Sequence, residues 1–129
     1  MNGVLLDTNA LVWVLAGDPQ LGSNARARLI TSVSPRFSSA SVLEITIKHM
    51  LGRLEVPGDV ATAAEAAGLV ELPFRSPHAS GLEQFPDLAG HDPFDRMLLS
   101  QARHEDLLLL TSDRHLLDLG FEWVIDARR

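Results

Sequence analysis

Apolar positions in this chain follow two periods. Short unbroken runs, such as "GVLL" ahead of Asp7 and "LLLLTSD" from Leu107, predict buried strands. Stretches with apolar residues three and four apart predict helices. After the first strand, "TNALVWVLAG" reads as a helix closing at Gly17. Asp18-Pro19 reads as a cap and first-turn proline that open a helical stretch through "SNARARLITS". "RFSS" is the second expected strand. "SVLEITIKHML", ending at Gly52, is the clearest amphipathic helix of the first half. Beyond "LEVP", the Ala-rich "GDVATAAEAAG" predicts a helix and "LVELP" a third strand. "SPHASGLEQF" predicts a helix or turn, followed by a loop through Pro86 and Gly90. "FDRMLLSQARHE" predicts a helix before the "LLLLTSD" strand, "RHLLDLG" a short helix after it, and "EWVI" the last strand.

Short apolar strands alternating with helices indicate an α/β fold with a mainly parallel sheet. The ligand crevice of such a sheet lies beyond the carboxyl ends of its strands. Asp7 directly follows "VLL" and Asp113 follows "LLLLTS", so both belong to that edge. Glu44 lies in the helix after "RFSS" and is easily placed there. Asp95 follows a loop long enough to reach either edge.

At 129 residues and 46% hydrophobic content, the chain fits one domain spanning residues 1–129, with no Gly/Ser-rich linker or repeat. Asp7 interrupts the N-terminal apolar stretch, which falls short of membrane-spanning length and, lacking a basic lead, does not read as a secretion signal. Cysteine is absent, which excludes disulfide and thiolate chemistry and fits a cytoplasmic protein. The net charge of −6 argues against a uniformly basic nucleic-acid surface. Its distribution is uneven. Glu55 to Asp87 holds six acids against Arg75 alone, whereas Arg36 to Arg53 holds three basic residues against Glu44.

Each acid has a plain structural reading beside a chemical one. Ser41-Val42-Leu43-Glu44 matches a capping box, in which the glutamate folds back onto the cap's amide. Asp92-Pro93 matches a helix N-cap with proline at the first helical position. Asp95 then falls at the third position, where the helix dipole favours an anion. Asp113 suits a cap for "RHLLDL", as do Ser112 and Thr111. Asp7 is the hardest to explain structurally, because an acid ending an apolar strand is costly unless something pairs with it. Acids drawn to one edge repel one another and raise each other's pKa. A hard divalent cation resolves this, and carboxylates with waters suit Mg²⁺ or Mn²⁺.

The histidines offer no better site. His49, His78, His91, His104 and His115 lack zinc spacing; His91 and His115 flank the acid motifs and could touch a phosphate, but they read better as solvated surface histidines. There is no G-x-S-x-G, P-loop or dinucleotide glycine pattern, and Trp13 and Trp123 read as core residues.

"LLDTNALVW", "SSASVLEI", "HDPFDRMLLSQA" and "LLLLTSDRHL" occur here in the order and rough spacing of PIN-domain proteins. The chain most resembles the VapC toxins of bacterial toxin–antitoxin pairs, over nearly its whole length; Val56 to Gly90 matches only in length and helical character. The resemblance implies a three-layer α/β/α fold around a parallel sheet. It places the family's acidic quartet on Asp7, Glu44, Asp95 and Asp113, with Asp7 and Asp95 holding the metal. Thr8, Asn9 and Thr111 match the supporting positions. Asp92 belongs to the "DPFDR" wording of one subgroup and is left as a cap. The implied activity is that of a Mg²⁺- or Mn²⁺-dependent endoribonuclease toxin, with an RNA substrate, a VapB-type antitoxin and a homodimer as partners. The acidic net charge leaves the RNA path open; Arg36, Lys48, His49, Arg53, Arg96 and Arg114 are the candidates for phosphate contact.

Two other readings compete. An aspartyl-nucleophile phosphatase of the haloacid-dehalogenase type wants D-x-D, but Asn9 stands where the second acid belongs. A noncatalytic partner-binding domain with a structural metal predicts partner binding without RNA cleavage.

Overall fold

The computed structural model describes residues 3–56, 58–88, 90 and 92–129. Its elements run β1 (Val4–Leu6), α1 (Thr8–Ala16), α2 (Ser23–Thr31), β2 (Arg36–Ser38), α3 (Ser39–Met50), α4 (Val60–Ala66), β3 (Val70–Leu72), α5 (Ser76–Ser80), α6 (Pro93–His104), β4 (Leu108–Thr111), α7 (Arg114–Leu117) and β5 (Val124–Asp126). The five strands form one parallel sheet in the order β3-β2-β1-β4-β5.

Successive side chains of a strand point to opposite faces, and both faces of this sheet are covered. Val4, Leu6 and Leu110 enter one core with Leu11, Ala25, Ile45 and Ala64 from the helices of that side. Leu5 and Leu109 enter the other with Leu98, Leu99 and Leu116. Two buried faces explain why the central strands read as unbroken apolar runs. The architecture is the expected α/β/α sandwich.

From β1 the chain steps outward to β2 and β3, then returns through α5 and α6 to lay β4 on the other side of β1. That reversal makes the gap between β1 and β4 the topological switch point, where an open parallel sheet leaves a crevice at its carboxyl edge.

Two local expectations are corrected. The second helix starts at Ser23 behind Gly22 and not at Pro19. Asp18 accepts from Gln20 N at 2.9 Å, which closes a turn and uses up the expected cap. The capping box at Ser41 also does not form. The cap of α3 is Ser38, whose hydroxyl accepts from Ala40 N, so Glu44 lies well inside the helix. "SSAS" offers several hydroxyls, and the earliest one wins because β2 delivers it directly. The other predicted caps hold: Asp92 accepts from Phe94 N with Pro93 following, and Asp113 accepts from Leu116 N. Among the described residues, no helix is long and apolar enough to cross a membrane.

Candidate metal and active site

At the switch point, the C-terminal ends of β1 and β4 border a polar cleft of about 330 Å³. It is lined by Asp7, Glu44, Asp92, Asp95 and Asp113, with Lys48, Arg114 and Arg128 as its cations. The structure therefore brings together all four quartet positions, which lie 37 to 106 residues from Asp7 in sequence.

Asp7 is buried and has two duties. Its Oδ1 accepts from Ala10 N at 2.7 Å, capping α1. Its Oδ2 accepts from the Thr111 hydroxyl at 2.8 Å and from Ser112 N at 3.0 Å. Burial still pushes its carboxyl above the usual range, against the pull of these three donors, and the nearby Glu44 adds to the rise. Thr111 also accepts from Asp113 N, so one threonine ties the first acid to the last.

Glu44 is buried and held through both oxygens. Thr8 Oγ1 stands 2.6 Å from Oε1, and Lys48 Nζ stands 2.8 Å from Oε2. Thr8 also lies 3.0 Å from Ser41 Oγ. A hydroxyl has one proton, and the shorter contact to the carboxylate takes it. Asn9 Nδ2 donates to Ser112 Oγ at 3.2 Å, bracing the loop that carries Asp113.

Asp95 is also strongly perturbed. Burial, then a hydrogen bond with the Asp113 carboxyl, then the charges of Asp113, Asp92 and Asp7 push it up to about 8. Two carboxyl groups in hydrogen-bond contact share a proton, because like charges at that distance resist joint ionisation. Such a site lacks positive charge. Its donors are all hard oxygens, which suits Mg²⁺ or Mn²⁺ and not a soft metal.

Of the cations expected to meet a phosphate, Lys48 and Arg114 line the cleft. Arg36 does not. It opens β2 at the amino edge of the sheet, in a hollow with Gly3 and Glu105. His49 lies beyond Lys48, with Nδ1 3.0 Å from Leu54 O, and Arg53 follows in the exposed turn after α3. Arg96 is half-buried beside Asp95 but outside the cleft lining. His115 Nδ1 lies 3.8 Å from Asp113, while His91 lies outside the described residues. Sequence reasoning missed Arg128, and it took Ser112 and Asp92 for capping alone, although all three line the cleft.

Among the described residues, His78, His104 and Glu105 form a second group of potential metal ligands. His78 Nδ1 accepts from Arg75 N at 2.9 Å, so the ring proton sits on Nε2 and is donated to Glu105 at 2.9 Å. That nitrogen has no lone pair for a metal. The group is a structural tie between α5 and α6.

A parallel α/β sandwich with acids gathered at its switch point defines the class, an α/β fold with an acidic site at the sheet edge. Within that class, the PIN domain family matches residues 4–122, and the chain belongs to it. The fold is similar to VapBC2 from Rickettsia felis bound to a DNA fragment from its promoter: TM-score 0.68, 15% identity, 95% of this chain and 96% of that one. A toxin–antitoxin complex from Klebsiella pneumoniae gives a TM-score of 0.64 at 14% identity, covering 96% and 97%. FitAB bound to the IR36 DNA fragment gives 0.55 at 20% identity, covering 87% and 86%. No curated protein sequence matches the chain.

Proposed function

We propose that this protein is a divalent-metal-dependent endoribonuclease toxin of the VapC type, acting as a single PIN domain. The observation that carries this reading is the gathering of Asp7, Glu44, Asp95 and Asp113 in one polar cleft at the carboxyl edge of the sheet. Asp7 and Asp95 would hold Mg²⁺ or Mn²⁺, with Glu44 and Asp113 completing the site or positioning waters. The bound ion supplies an activated water and offsets charge developing on a phosphoryl oxygen. Thr111 and Ser112 N orient the Asp7 carboxylate, and Thr8 and Lys48 orient Glu44. Attack by water leaves a 3′-hydroxyl and a 5′-phosphate. The phosphatase reading loses ground, since Asn9 stands where the second acid of a D-x-D pair belongs.

The complexes from Rickettsia felis and Klebsiella pneumoniae support a VapB-type antitoxin as partner. An apolar groove of about 190 Å³ between Val12, Leu15, Ile45, Val56 and Val60 is a fitting seat for it. Leu43, Ile47, Met50 and Leu51 leave one exposed apolar face on α3, which supports a homodimer. A toxin of this kind acts in the cytoplasm.

The test is incubation of total RNA with antitoxin-free protein in Mg²⁺, Mn²⁺ or EDTA, beside Asp92→Asn and Asp95→Asn variants. Metal-dependent fragments ending in 5′-phosphate, lost with Asp95→Asn and retained with Asp92→Asn, are expected. Products ending in 2′,3′-cyclic phosphate, or no cleavage by folded wild type in either metal, would overturn the reading.

A further inference from the structure

A cleft with five acids must still attract a polyanion, so its cations decide where a strand can enter. Three cations line it. Lys48 is already matched by Glu44 at 2.8 Å, and Arg114 stands 3.9 Å from Asp118 on its own helix. Arg128 differs. One of its nitrogens donates to Ser112 O at 3.2 Å, and its guanidinium lies over the Trp13 ring, 5.8 Å from the centroid. Neither contact carries a formal charge. Among the described residues no carboxylate pairs with its side chain, and most of its five N–H donors remain free.

The segment carrying Arg128 is firmly placed. Ala127 is fully buried and its N–H donates to Thr111 O at 2.9 Å, while its carbonyl accepts from Gly22 N at 2.9 Å. Arg128 N donates to the Asp126 side chain at 2.9 Å, and Arg129 O accepts from Ala25 N at 3.0 Å. A Cβ at Gly22 would stand 2.1 Å from the Arg129 backbone, so residue 22 is glycine to let this strap lie flat. The strap runs from β5 past the end of β4 and delivers one ordered, uncompensated guanidinium to the acids.

We propose that Arg128 binds a backbone phosphate of the RNA strand at the rim of the acidic cleft, an inference that rests on the nuclease reading of that site. A planar fork held on one side by a carbonyl and lying over an indole is suited to two-point contact with phosphate oxygens. Because the contact is to a phosphate, it carries no base preference.

The test is fluorescence anisotropy with a labelled single-stranded RNA, with Ca²⁺ in place of Mg²⁺ to hold back cleavage, at several NaCl concentrations. Arg128→Gln should weaken binding roughly tenfold, the scale of one charge-assisted hydrogen-bond pair. It should also flatten the plot of log affinity against log salt by about 0.7, the mark of one lost phosphate contact on a single strand. Arg128→Lys should keep the slope and recover affinity only in part. Thermal melting checks that both variants fold. Should Arg128→Gln unfold, the charge-retaining Lys variant decides alone, since wild-type affinity in it would refute the fork. Weakened binding at unchanged slope would reduce Arg128 to a brace for the Ser112 loop and overturn the proposal, as would unchanged binding. Wild type that binds RNA but cleaves it in neither Mg²⁺ nor Mn²⁺ removes the nuclease reading, while the salt slope still decides Arg128.

Discussion

At the scale of single residues, Asp7 and Asp95 face the same problem and meet it differently. Asp7 is buried but accepts three hydrogen bonds, so its charge has partners before any ion arrives. Thr111→Val removes one of those donors with little change of shape. Supporting contacts of this kind are worth about 10–100-fold in metal affinity, so Thr111→Val is expected to weaken Mn²⁺ binding by a factor in that range in a calorimetric titration. Unchanged affinity would mean that Asp7 is oriented by Ala10 and Ser112 alone. Asp95 has instead the Asp113 carboxyl beside it and the charges of Asp92 and Asp7 nearby. Asp95→Asn supplies a neutral amide that donates to Asp113 at any pH. Water screens this part-exposed group, so the gain is small: we expect the metal-free variant to melt about 3 °C above wild type at pH 8, roughly what 1 kcal/mol amounts to in a chain of this size. The same variant should lose cleavage. A lower melting temperature would show that Asp95 is held by contacts that an amide cannot reproduce.

At the scale of elements, the acids are tolerated because helices begin where they gather. Asp7 caps α1, Asp92 caps α6 with Asp95 in its first turn, and Asp113 caps α7. Unpaired N–H groups and the positive dipole end of each helix offset part of the negative charge. A residue can thus cap a helix and line the cleft at once, which is why reading Asp92 or Asp113 as a cap does not exclude either from the cleft. The strands and most helices were legible for a related reason. A sheet buried on both faces leaves unbroken apolar runs, and Gly17 ends α1 in the left-handed region at φ 63° as its position implies. Cues with more than one use were misread. Asp18-Pro19 closes a turn, and the hydroxyl that caps α3 is Ser38, which left Glu44 free for Thr8 and Lys48. Arg128 had no local signal, since only the register of β5 beside β4 brings it to Ser112. His78 gives an element-scale test. It is almost wholly buried, and its ring ties the Arg75 amide to Glu105 across α5 and α6. His78→Ala opens a cavity and orphans both partners, which should cost about 2–4 kcal/mol in urea unfolding while leaving Mn²⁺ affinity unchanged. A fall in metal affinity would mean that this group does bind ions. Gly22→Ala tests the strap. The φ of −71° suits alanine, so the loss of about 1–3 kcal/mol expected from overpacking would come from the collision with Arg129 alone.

At the scale of the whole molecule, the cleft couples folding to protons and, on the proposed function, both to a metal. Asp95 titrates at about 8 when folded, against about 3.9 for a free aspartate. Between those values the folded chain holds a proton that the unfolded chain has released, so stability falls as pH rises across this window and levels off above it. Asp7 is shifted in the same direction and adds to the slope. Metal-free protein should therefore melt at a higher temperature at pH 5.5 than at pH 8.5, the reverse of a protein whose acids are paired with cations. On the proposed function a divalent ion would bind the ionised carboxylates, and at neutral pH it would have to displace the proton held by Asp95. Mn²⁺ should raise the melting temperature more at pH 8.5 than at pH 5.5. Titration at pH 7 in buffers of different ionisation enthalpy should show net release of protons as the ion binds. If melting in EDTA is flat across this range and binding releases no proton, the acids are not held together in solution as they are here, and Asp95 does not share its proton with Asp113.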